Sequence, residues 1–425
     1  MGTFTKLPTG RSTIAYRARW ILPITGSPIL GGYLTVRDRR IRGLGKSTDA
    51  IRIVDLGDVT VLPGLVNAHT HLEFSDLKQP LGAGTSTFSD WIRAVLAYRQ
   101  DNEDAGRDAH RQIERGLVET WRGGAVAVGE ISTRPRERTT QFTAAPSGTS
   151  SSGTSFLELL GLSDERVARQ LETAREYVRQ PRLPMDQWTA GLSPHAPYTT
   201  RREIVEETVA LAGQANITVA MHLAETREEI EILANQTGPL RSLLEERGVW
   251  NPSAFPRDGR PMAFLERLAD APSCLVVHGN YLQPDEIEFV AAHRNMTIVY
   301  CPRTHSYFRH ERYPIAEMLQ AGVQVAIGTD SRASNPDVSP WNELRFAVAK
   351  HAEIAPESWL SMATVNGLQA LRIDSNIYEL AENWLVATVP VVGRNDPYAC
   401  LTESASEVGL FHQVAASRTD NQLGD

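Results

Sequence analysis

Histidine and aspartate residues recur along the chain directly at or after short apolar runs. His69 and His71 close the segment that begins VLPGLVNAH, His222 lies in ITVAMHL, and Asp330 follows VQVAIGT. Two histidines spaced i, i+2 in an extended segment project to the same side, so both imidazoles can reach one ion. Three neutral imidazoles and a carboxylate suit zinc or another late first-row ion, with one position left for water. We therefore predict a site for one divalent metal at these four residues, with zinc expected and iron as the alternative.

Two further ionisable residues accompany the predicted ligands. Glu225 follows His222 by three positions in MHLAET, and His278 ends the run SCLVVH. A carboxylate just beyond a ligand can move protons between water and substrate without binding the ion. Taken alone, such a glutamate fits a solvated helix start equally well. The joint pattern favours chemistry, because the chain has only 11 histidines and five of them lie at or just past a predicted strand end.

Eight apolar, β-branched runs would have to position these residues. From about residue 61 they alternate with long amphipathic stretches, which is typical of repeated β-α units around a parallel sheet. The fold class predicted is α/β, a closed (β/α)8 TIM barrel in which the strand ends share one face. An open doubly wound sheet fits less well, because no glycine-rich phosphate turn follows the first strand. The runs span 61–69, 124–130, 155–162, 188–195, 217–223, 273–279, 296–302 and 323–330.

The two ends of the chain differ from this central part. Residues 1–60 alternate in short strand-like runs broken by aspartate, glycine and proline, and the chain becomes strand-like again in NWLVATVPVV. We predict an N-terminal β segment over 1–60, a barrel over 61–372 and a C-terminal part with a polar tail over 373–425. Residues 133–155, rich in Ser, Thr, Pro and Arg, predict a mobile loop, and 236–262 predict a lid-like excursion.

Composition narrows the classes of partner. The net charge of −8 argues against a nucleic-acid surface, and no apolar run reaches the length that a membrane helix needs. The three cysteines are far apart and form neither a disulfide framework nor a CxxC zinc site. These observations predict a cytoplasmic protein with a small-molecule substrate and no membrane or nucleic-acid partner. The oligomeric state stays open, a homo-oligomer being one outcome.

Six segments resemble the amidohydrolase superfamily, and the resemblance covers about residues 50–375. It implies a (β/α)8 barrel flanked by a small β-sandwich built from both chain ends. The HLAE segment looks like the mononuclear aminohydrolase branch. The first-loop region, residues 71–99, is similar to that of aminodeoxyfutalosine deaminases, and the chain also resembles S-adenosylhomocysteine deaminase-type enzymes. The segments are VLPGLVNAHTHLEFS (61–75), SPHAPYT (193–199), MHLAET (221–226), VVHGNYL (276–282), CPRTHSYF (301–308) and GTDS (328–331).

A second metal is not expected. Binuclear members of the superfamily resemble one another in a carboxylated lysine that bridges two ions from the fourth strand. This chain has no lysine between Lys78 and Lys350, so that bridge cannot form. Glu130 and Glu158 are the remaining, less favoured candidates for a bridging carboxylate.

The resemblance also implies a role for each residue of the site. The four predicted ligands bind the metal, and Asp330 takes a proton from the water that the metal activates. Glu225 protonates a ring nitrogen and helps ammonia leave, while His278 holds and polarises the attacking hydroxide. Metal binding lowers the pKa of water to about 7, and ring protonation makes an aminated heteroaromatic carbon electrophilic enough for attack. The expected products are a ring carbonyl and ammonia.

Five residues are candidate substrate contacts. His195, in SPHAPYT, matches the histidine that touches substrate in nucleoside-type deaminases. Trp91 stacks on a purine in one interpretation and belongs to the core in another. Glu73 is a substrate contact or a simple loop carboxylate. Arg303 and His305 stand in CPRTHSYF, where many mononuclear deaminases carry a CPxSN-like segment, and are expected to alter specificity.

The predicted function is hydrolytic deamination of a purine nucleoside-like compound, such as aminodeoxyfutalosine or an adenosine derivative. A chlorohydrolase or triazine-type hydrolase, and a cyclic-amide hydrolase, are alternatives that use the same site. A barrel that has lost catalysis and only binds is the remote alternative, because such a protein would be expected to have lost ligands and this chain keeps the whole set.

Overall fold

The structure is a computed structural model of the 425-residue chain. It describes residues 13–38, 40–82, 87–104, 108–133, 152–180, 188–255, 259–374, 385–389, 395–402, 407–411 and 415. Over these residues the fold is mixed α/β, with one large parallel sheet, two small sheets and helices packed between and around them.

The strands follow each other along the whole chain, the first seven before the metal-ligand candidates begin. In chain order they are β1 (Ile14–Arg17), β2 (Trp20–Ile21), β3 (Ile29–Leu30), β4 (Tyr33–Arg37), β5 (Arg40–Gly45), β6 (Arg52–Asp55), β7 (Thr60–Pro63), β8 (Leu65–His71), β9 (Ala125–Ser132), β10 (Ser152–Leu159), β11 (Trp188–Pro194), β12 (Thr218–Leu223), β13 (Cys274–His278), β14 (Met296–Tyr300), β15 (Val325–Ile327), β16 (Asp330–Ser331), β17 (Leu385–Val389) and β18 (Glu407–Leu410).

The helices separate most of the later strands. They are α1 (Phe88–Asp104), α2 (Ala109–Arg122), α3 (Asp164–Arg179), α4 (Arg202–Ala215), α5 (Arg227–Asn235), α6 (Pro239–Glu246), α7 (Met262–Leu268), α8 (Pro284–Ala292), α9 (Pro302–Tyr307), α10 (Ile315–Ala321), α11 (Pro340–Lys350), α12 (Pro356–Met362), α13 (Val365–Ala370) and α14 (Ala399–Thr402). Short 3-10 turns cover Leu72–Phe74 and Pro252–Ala254.

The large sheet has the order β15-β14-β13-β12-β11-β10-β9-β8-β16, and all of its pairings are parallel. Its two outermost strands, β15 and β16, belong to one short segment of chain. Within that segment Gly328 N donates to Tyr300 O, and Thr329 N donates to His69 O, each at 3.0 Å. The sheet therefore curls until its last segment meets its first strand, and it fits a TIM-barrel fold. The predicted α/β class with a parallel sheet is confirmed.

Strands of the large sheet are apolar on both sides because both faces are covered. In β12, Val219 and Met221 belong to the cluster packed under the helices, whereas Ala220 belongs to a second cluster that includes Val277 and Val299. Successive side chains of a strand point to opposite faces, so this split is what a sheet with helices outside and a packed centre requires.

The two small sheets combine the ends of the chain. One is four-stranded, in the order β5-β4-β1-β6, and the other is five-stranded, in the order β18-β17-β7-β2-β3. In the second sheet β17 pairs antiparallel with β7, so a strand from near the C-terminus completes a sheet begun by the first 63 residues. The strand predicted in NWLVATVPVV is confirmed for Leu385–Val389, and the other residues of that segment lie outside the described part of the chain.

One local prediction is wrong, the structure adds detail to a second, and a third lies outside the described residues. Residues 152–155 were expected in a mobile loop but begin β10, whose side chains are buried; the rest of that loop, 134–151, lies outside the described residues. The 236–262 excursion contains α6, whose Leu240, Leu243 and Leu244 are buried in the main core. The polar tail, 417–425, also lies outside the described residues. Within the described chain no helix combines the length and apolar character needed to cross a bilayer.

Candidate metal and acid–base site

The predicted metal ligands meet at the C-terminal end of the large sheet. His71 Nε2 lies 3.2 Å from His222 Nε2 and 3.9 Å from Asp330 Oδ1, and His69 Nε2 lies 3.9 Å from the same oxygen. All four side chains are buried. Parallel strands bring their carboxyl ends to one edge, so residues far apart in sequence become neighbours there.

The donor atoms of this group fit a divalent cation. Both ring nitrogens of His69 are buried and have no hydrogen-bond partner among the described residues. His222 Nδ1 donates to His195 O at 2.9 Å, which leaves its Nε2 unprotonated and directed at His71. Buried nitrogens without a partner, as in His69, cost free energy unless an ion or another group binds them. The geometry supplies the reason for grouping these residues as metal ligands.

Burial keeps the imidazoles in the form that binds metal. Removal from water lowers the pKa of His69 and His71 well below the usual value, and lowers that of His222 to about 4. The neighbouring imidazoles add to these shifts because a second positive charge is repelled. Burial raises the pKa of Asp330 to about 6, against hydrogen bonds from Ser331 N and Ser334 Oγ. Neutral histidines are the ligand form.

Glu225 and His278 lie beside the ligand group. Glu225 Oε1 is 3.5 Å from His278 Nε2, and both side chains are buried. Burial raises the pKa of Glu225 well above its usual value, with Asp330 as the second cause. Burial lowers the pKa of His278, and His222 adds to that shift. A protonated carboxyl beside a neutral imidazole is what a general acid next to a water-holding group requires.

The backbone is strained where these residues leave their strands. Ala224, His278 and Asp330 all have positive φ angles, of 53°, 72° and 56°. A non-glycine residue in this left-handed region costs about 1–3 kcal/mol and persists where the surroundings fix it. At Ala224 and Glu225 the fixing group is Glu229, whose carboxylate accepts from both backbone N–H groups at 2.7 and 2.9 Å.

Glu229 was missed by sequence reasoning, although a signal was present. Thr226 caps α5 by accepting from Glu229 N, so a glutamate occupies the third helical position as in a capping box. Instead of returning to Thr226, the Glu229 carboxylate reaches the turn that carries Glu225. The spacing of threonine and glutamate in HLAETREE therefore indicated a local hydrogen bond, but not its target.

The glycine of the GTDS segment, Gly328, is required by the close packing of the chain at this position. A Cβ atom at this position would lie 2.9 Å from both the Cβ and the carbonyl oxygen of His69. Such an approach is closer than real Cβ atoms show, so only glycine lets the last segment pack directly against the first strand.

Glu73 lies in the 3-10 turn directly after β8. Its carboxylate accepts from Ser132 Oγ at 2.8 Å and from Thr133 N and Oγ1 at 3.1 and 2.8 Å, and Arg99 Nη2 lies 3.6 Å away. The side chain is therefore held to the end of β9. A contact between Glu73 and substrate stays a prediction.

Trp91 is part of α1 and is partly buried against the main core. Its ring stacks on Phe88 with centroids 5.5 Å apart and meets Phe308 edge-on at 5.1 Å. Its Nε1 donates to Ala333 O at 2.9 Å, three residues beyond Asp330. The core interpretation accounts for these contacts, and stacking on a purine stays a prediction.

Arg303 and His305 lie in different surroundings. The Arg303 guanidinium pairs with Asp337 and Glu343, each at 2.7 Å, in a largely buried network, and no contact joins it to the ligand group within the described chain. The ring of His305 is buried edge-on against Tyr300, and its Nε2 has no hydrogen-bond partner among the described residues. Burial lowers the pKa of His305 to about 3.

His195 and Glu158 border the ligand group on the side of β10 and β11. His195 Nε2 lies 3.9 Å from Glu158 Oε1, and one donor atom from each of Glu158, His195 and His222 lies within 4.8 Å of the others. Burial raises the pKa of Glu158 and lowers that of His195 to about 3. Glu130 accepts from Ser155 Oγ at 3.3 Å and joins no candidate metal group of the described residues.

Comparison with known proteins agrees with the hydrolytic chemistry that the residues of the site suggest. The sequence profile described as Amidohydrolase family matches residues 60–396. A 5-methylthioadenosine/S-adenosylhomocysteine deaminase of Pyrococcus furiosus is 28% identical over 353 residues, which is 80% of this chain and 78% of that protein.

Two solved structures share the fold. The aminofutalosine deaminase of Helicobacter pylori, in complex with methylthio-coformycin, has a TM-score of 0.75 at 20% identity, covering 92% of this chain and 95% of its own. An atrazine chlorohydrolase mutant of Arthrobacter aurescens, complexed with zinc and atraton, has a TM-score of 0.73 at 18% identity, covering 96% and 99%. The prediction of a hydrolase of the deaminase type, acting on C–N bonds, is confirmed. The profile covers most of the chain, and this protein belongs to the amidohydrolase family.

Proposed function

We propose that this protein releases ammonia from an aminated purine nucleoside or a closely related ring, with one zinc ion held by the four predicted ligands. One observation carries the proposal: three buried imidazoles and a carboxylate converge beside a second carboxyl, Glu225, whose pKa is raised. The first group suits a divalent cation and the second suits a proton donor, and hydrolytic deamination needs both.

The ion would be held by His69, His71, His222 and Asp330. When bound, it supplies Lewis acidity that makes water a nucleophile at neutral pH. The protein contributes the rest. His222 is fixed by its bond to the His195 carbonyl, and Asp330 is fixed by Ser331 and Ser334.

Proton movement is assigned to three side chains. Asp330 accepts a proton of the attacking water, and His278 holds that water by its Nε2. Glu225 gives a proton to a ring nitrogen, so the ring carbon accepts the new C–O bond. The C–N bond then breaks: the amino group takes the proton held by Asp330 and leaves as ammonia, and the new hydroxyl group gives its proton to Glu225 as it becomes a carbonyl. Water and the amine are consumed, and a ring carbonyl and ammonia are formed.

The alternatives share this geometry but differ in leaving group. Attack on an activated ring carbon could also release chloride or a substituted amine, as the fold shared with a chlorohydrolase illustrates. The relatives that are named as deaminases of adenosine derivatives favour ammonia as the leaving group. Cyclic-amide hydrolysis and a binding-only barrel have no specific observation in their favour.

The test is a screen of the metal-loaded protein for released ammonia and chloride. Substrates would include adenosine, methylthioadenosine, S-adenosylhomocysteine, aminodeoxyfutalosine, guanine and a chlorotriazine, with bound metal quantified in the same samples. We expect ammonia from at least one adenosine derivative and about one metal per chain. Chloride release alone, or no turnover with a full complement of metal, would exclude the proposal.

We also propose the finer architecture. The large sheet is interpreted as a closed (β/α)8 barrel over about 61–372, with β15 and β16 as one interrupted eighth strand. The small sheets are interpreted as a β-sandwich formed by 1–60 and 373–425, although β7 extends the first part to residue 63. The supporting contact is a shared apolar cluster that contains Leu34 of one sheet and Val61 of the other. A cytoplasmic location stays a prediction.

A further inference from the structure

Tyr313 carries a buried phenol group that the proposed chemistry does not use. It lies two residues before α10, is 1% exposed, and stacks on Tyr300 with ring centroids 3.7 Å apart. Its hydroxyl group donates to the backbone oxygen of His278 at 2.9 Å. A carbonyl oxygen can only accept, so the direction of this hydrogen bond is fixed. Burial raises the pKa of Tyr313 well above the usual value, which keeps the hydroxyl proton in place.

The backbone of His278 needs such a contact. This residue ends β13, and its φ of 72° lies in the left-handed region that is strained for any residue except glycine. Gly279 follows with a φ of 63°, and its N–H group donates to Leu223 O at 3.0 Å. The pairing of β13 with β14 ends at Val277, so the His278 carbonyl oxygen lies beyond it. A buried carbonyl oxygen without a donor is costly, and the Tyr313 hydroxyl group therefore stabilises this turn.

The same hydroxyl group also fixes the imidazole of His278, for a geometric reason. Rotation about the N–Cα bond moves the carbonyl group and the side chain of a residue together. A contact that holds the His278 carbonyl oxygen therefore also holds the ring, whose Nε2 lies 3.5 Å from Glu225 Oε1. Without the contact, relaxation of φ toward the negative values that most residues adopt would carry Nε2 away from Glu225.

Tyr300 offers a matched comparison within the same stacked pair. It is as buried as Tyr313, and its hydroxyl group lies 3.1 Å from Nε2 of His351, which follows α11. This contact leads away from the turn at His278. Phenylalanine at either position keeps the ring and its stacking and removes one hydroxyl group. The two substitutions therefore differ in whether the lost hydrogen bond reaches that turn.

We propose that Tyr313 is a positioning residue for the reaction, because it fixes the His278 imidazole where that ring holds the attacking water. The role of His278 is part of the proposed function, so the inference rests on it. Tyr313 acts through the turn at the end of β13 and not on the substrate. One hydrogen bond to a buried acceptor changes an equilibrium by about 10-fold, which is comparable to the effect of the backbone strain that it offsets.

The experiment compares Tyr313→Phe with Tyr300→Phe in the zinc-loaded enzyme, on the best substrate from the ammonia screen. In Tyr313→Phe we expect kcat to fall about 10-fold with unchanged KM and zinc content, because the turn leaves its working conformation while the metal ligands stay in place. Tyr300→Phe should lower Tm by a similar amount and keep the wild-type kcat. Equal kcat values in the two variants overturn the proposal.

Amide hydrogen exchange gives a second readout that does not depend on turnover. The peptide 276–282 contains the Gly279 N–H group, which the turn protects through its bond to Leu223 O. We expect this group to exchange about 10-fold faster in Tyr313→Phe than in wild type, and at the wild-type rate in Tyr300→Phe. Unprotected exchange of Gly279 in wild type overturns the proposal, even if Tyr313→Phe does not fold. Absence of ammonia from every substrate removes the proposed function instead, and the exchange rates still test the turn.

Discussion

Replacing Glu225 by glutamine is expected to abolish most of the activity while leaving the metal in place. Glu225 is buried, its Oε1 lies 3.5 Å from His278 Nε2, and burial raises its pKa, which favours the protonated form that a proton donor needs. Glutamine has the same shape but no acidic proton. A positioned general acid contributes about 10²–10⁴-fold, and we expect about 10³-fold, or roughly 4 kcal/mol of transition-state stabilisation.

The assay is kcat and KM from ammonia release, with metal content measured on each sample. The rate loss should appear in kcat with little change in metal occupancy, since Glu225 is outside the predicted ligand set. A control variant is Glu231→Gln in α5, the helix that follows Glu225; the Glu231 carboxylate accepts a hydrogen bond from Thr237, away from the cluster, so this variant should retain activity. Full activity in Glu225→Gln would remove this residue from the mechanism, and loss of the metal would make it a ligand instead.

The same variant has a pH signature in the metal-free protein. The folded-state pKa of Glu225 is above its unfolded value, so the folded state holds the extra proton and wild type loses stability as pH rises from about 4.5 through the folded pKa. Glutamine does not titrate. Chelated Glu225→Gln should therefore match wild type in free energy of unfolding near pH 4 and exceed it above the folded pKa. A mutant that is less stable than wild type at high pH contradicts the burial argument.

Three further outcomes are expected. Chelation should remove activity and lower Tm, because metal binding stabilises the folded state; zinc should restore both, and an unchanged Tm would argue against a resident ion. Glu229→Ala removes the acceptor of the buried N–H groups of Ala224 and Glu225, at a cost of about 1–3 kcal/mol for each group. Urea titration should therefore show a clear loss of stability, and kcat should fall. An unchanged kcat would show that Glu229 does not position Glu225. In Gly129→Ala the new Cβ would lie 2.3 Å from Ala68 O, so folded yield and metal content should collapse, and a normal yield would refute the close packing of β8 and β9.

The chemistry of the site was predictable because its markers are local. A parallel barrel needs apolar strands, and its chemistry sits at their carboxyl ends, so His71, His222 and His278 stand at or next to the ends of such runs. The i, i+2 spacing of His69 and His71 likewise depends only on strand geometry, and their rings do meet, with centroids 4.9 Å apart.

Other outcomes depend on contacts between distant parts of the chain. Arg303 sits in a motif that suggests specificity, yet its guanidinium pairs with Asp337 and Glu343, more than thirty residues away. The sequence left Glu73 as either a substrate contact or a loop carboxylate; in the structure its carboxylate accepts a hydrogen bond from Ser132 Oγ at the end of β9. No periodicity or spacing encodes which of several nearby donors a long side chain reaches.

The sequence by itself determined the class of fold, the parallel strands and the group of residues that could hold one metal, because periodicity and residue type act within a few positions. The tertiary structure alone decided the strained turn held by Glu229, the glycine contact at Gly328 and the ion pairs that hold Arg303. Those features arise where separate parts of the chain pack within a few ångströms of each other. Which polar groups find a hydrogen-bond partner there depends on burial and on the neighbours that the fold brings close.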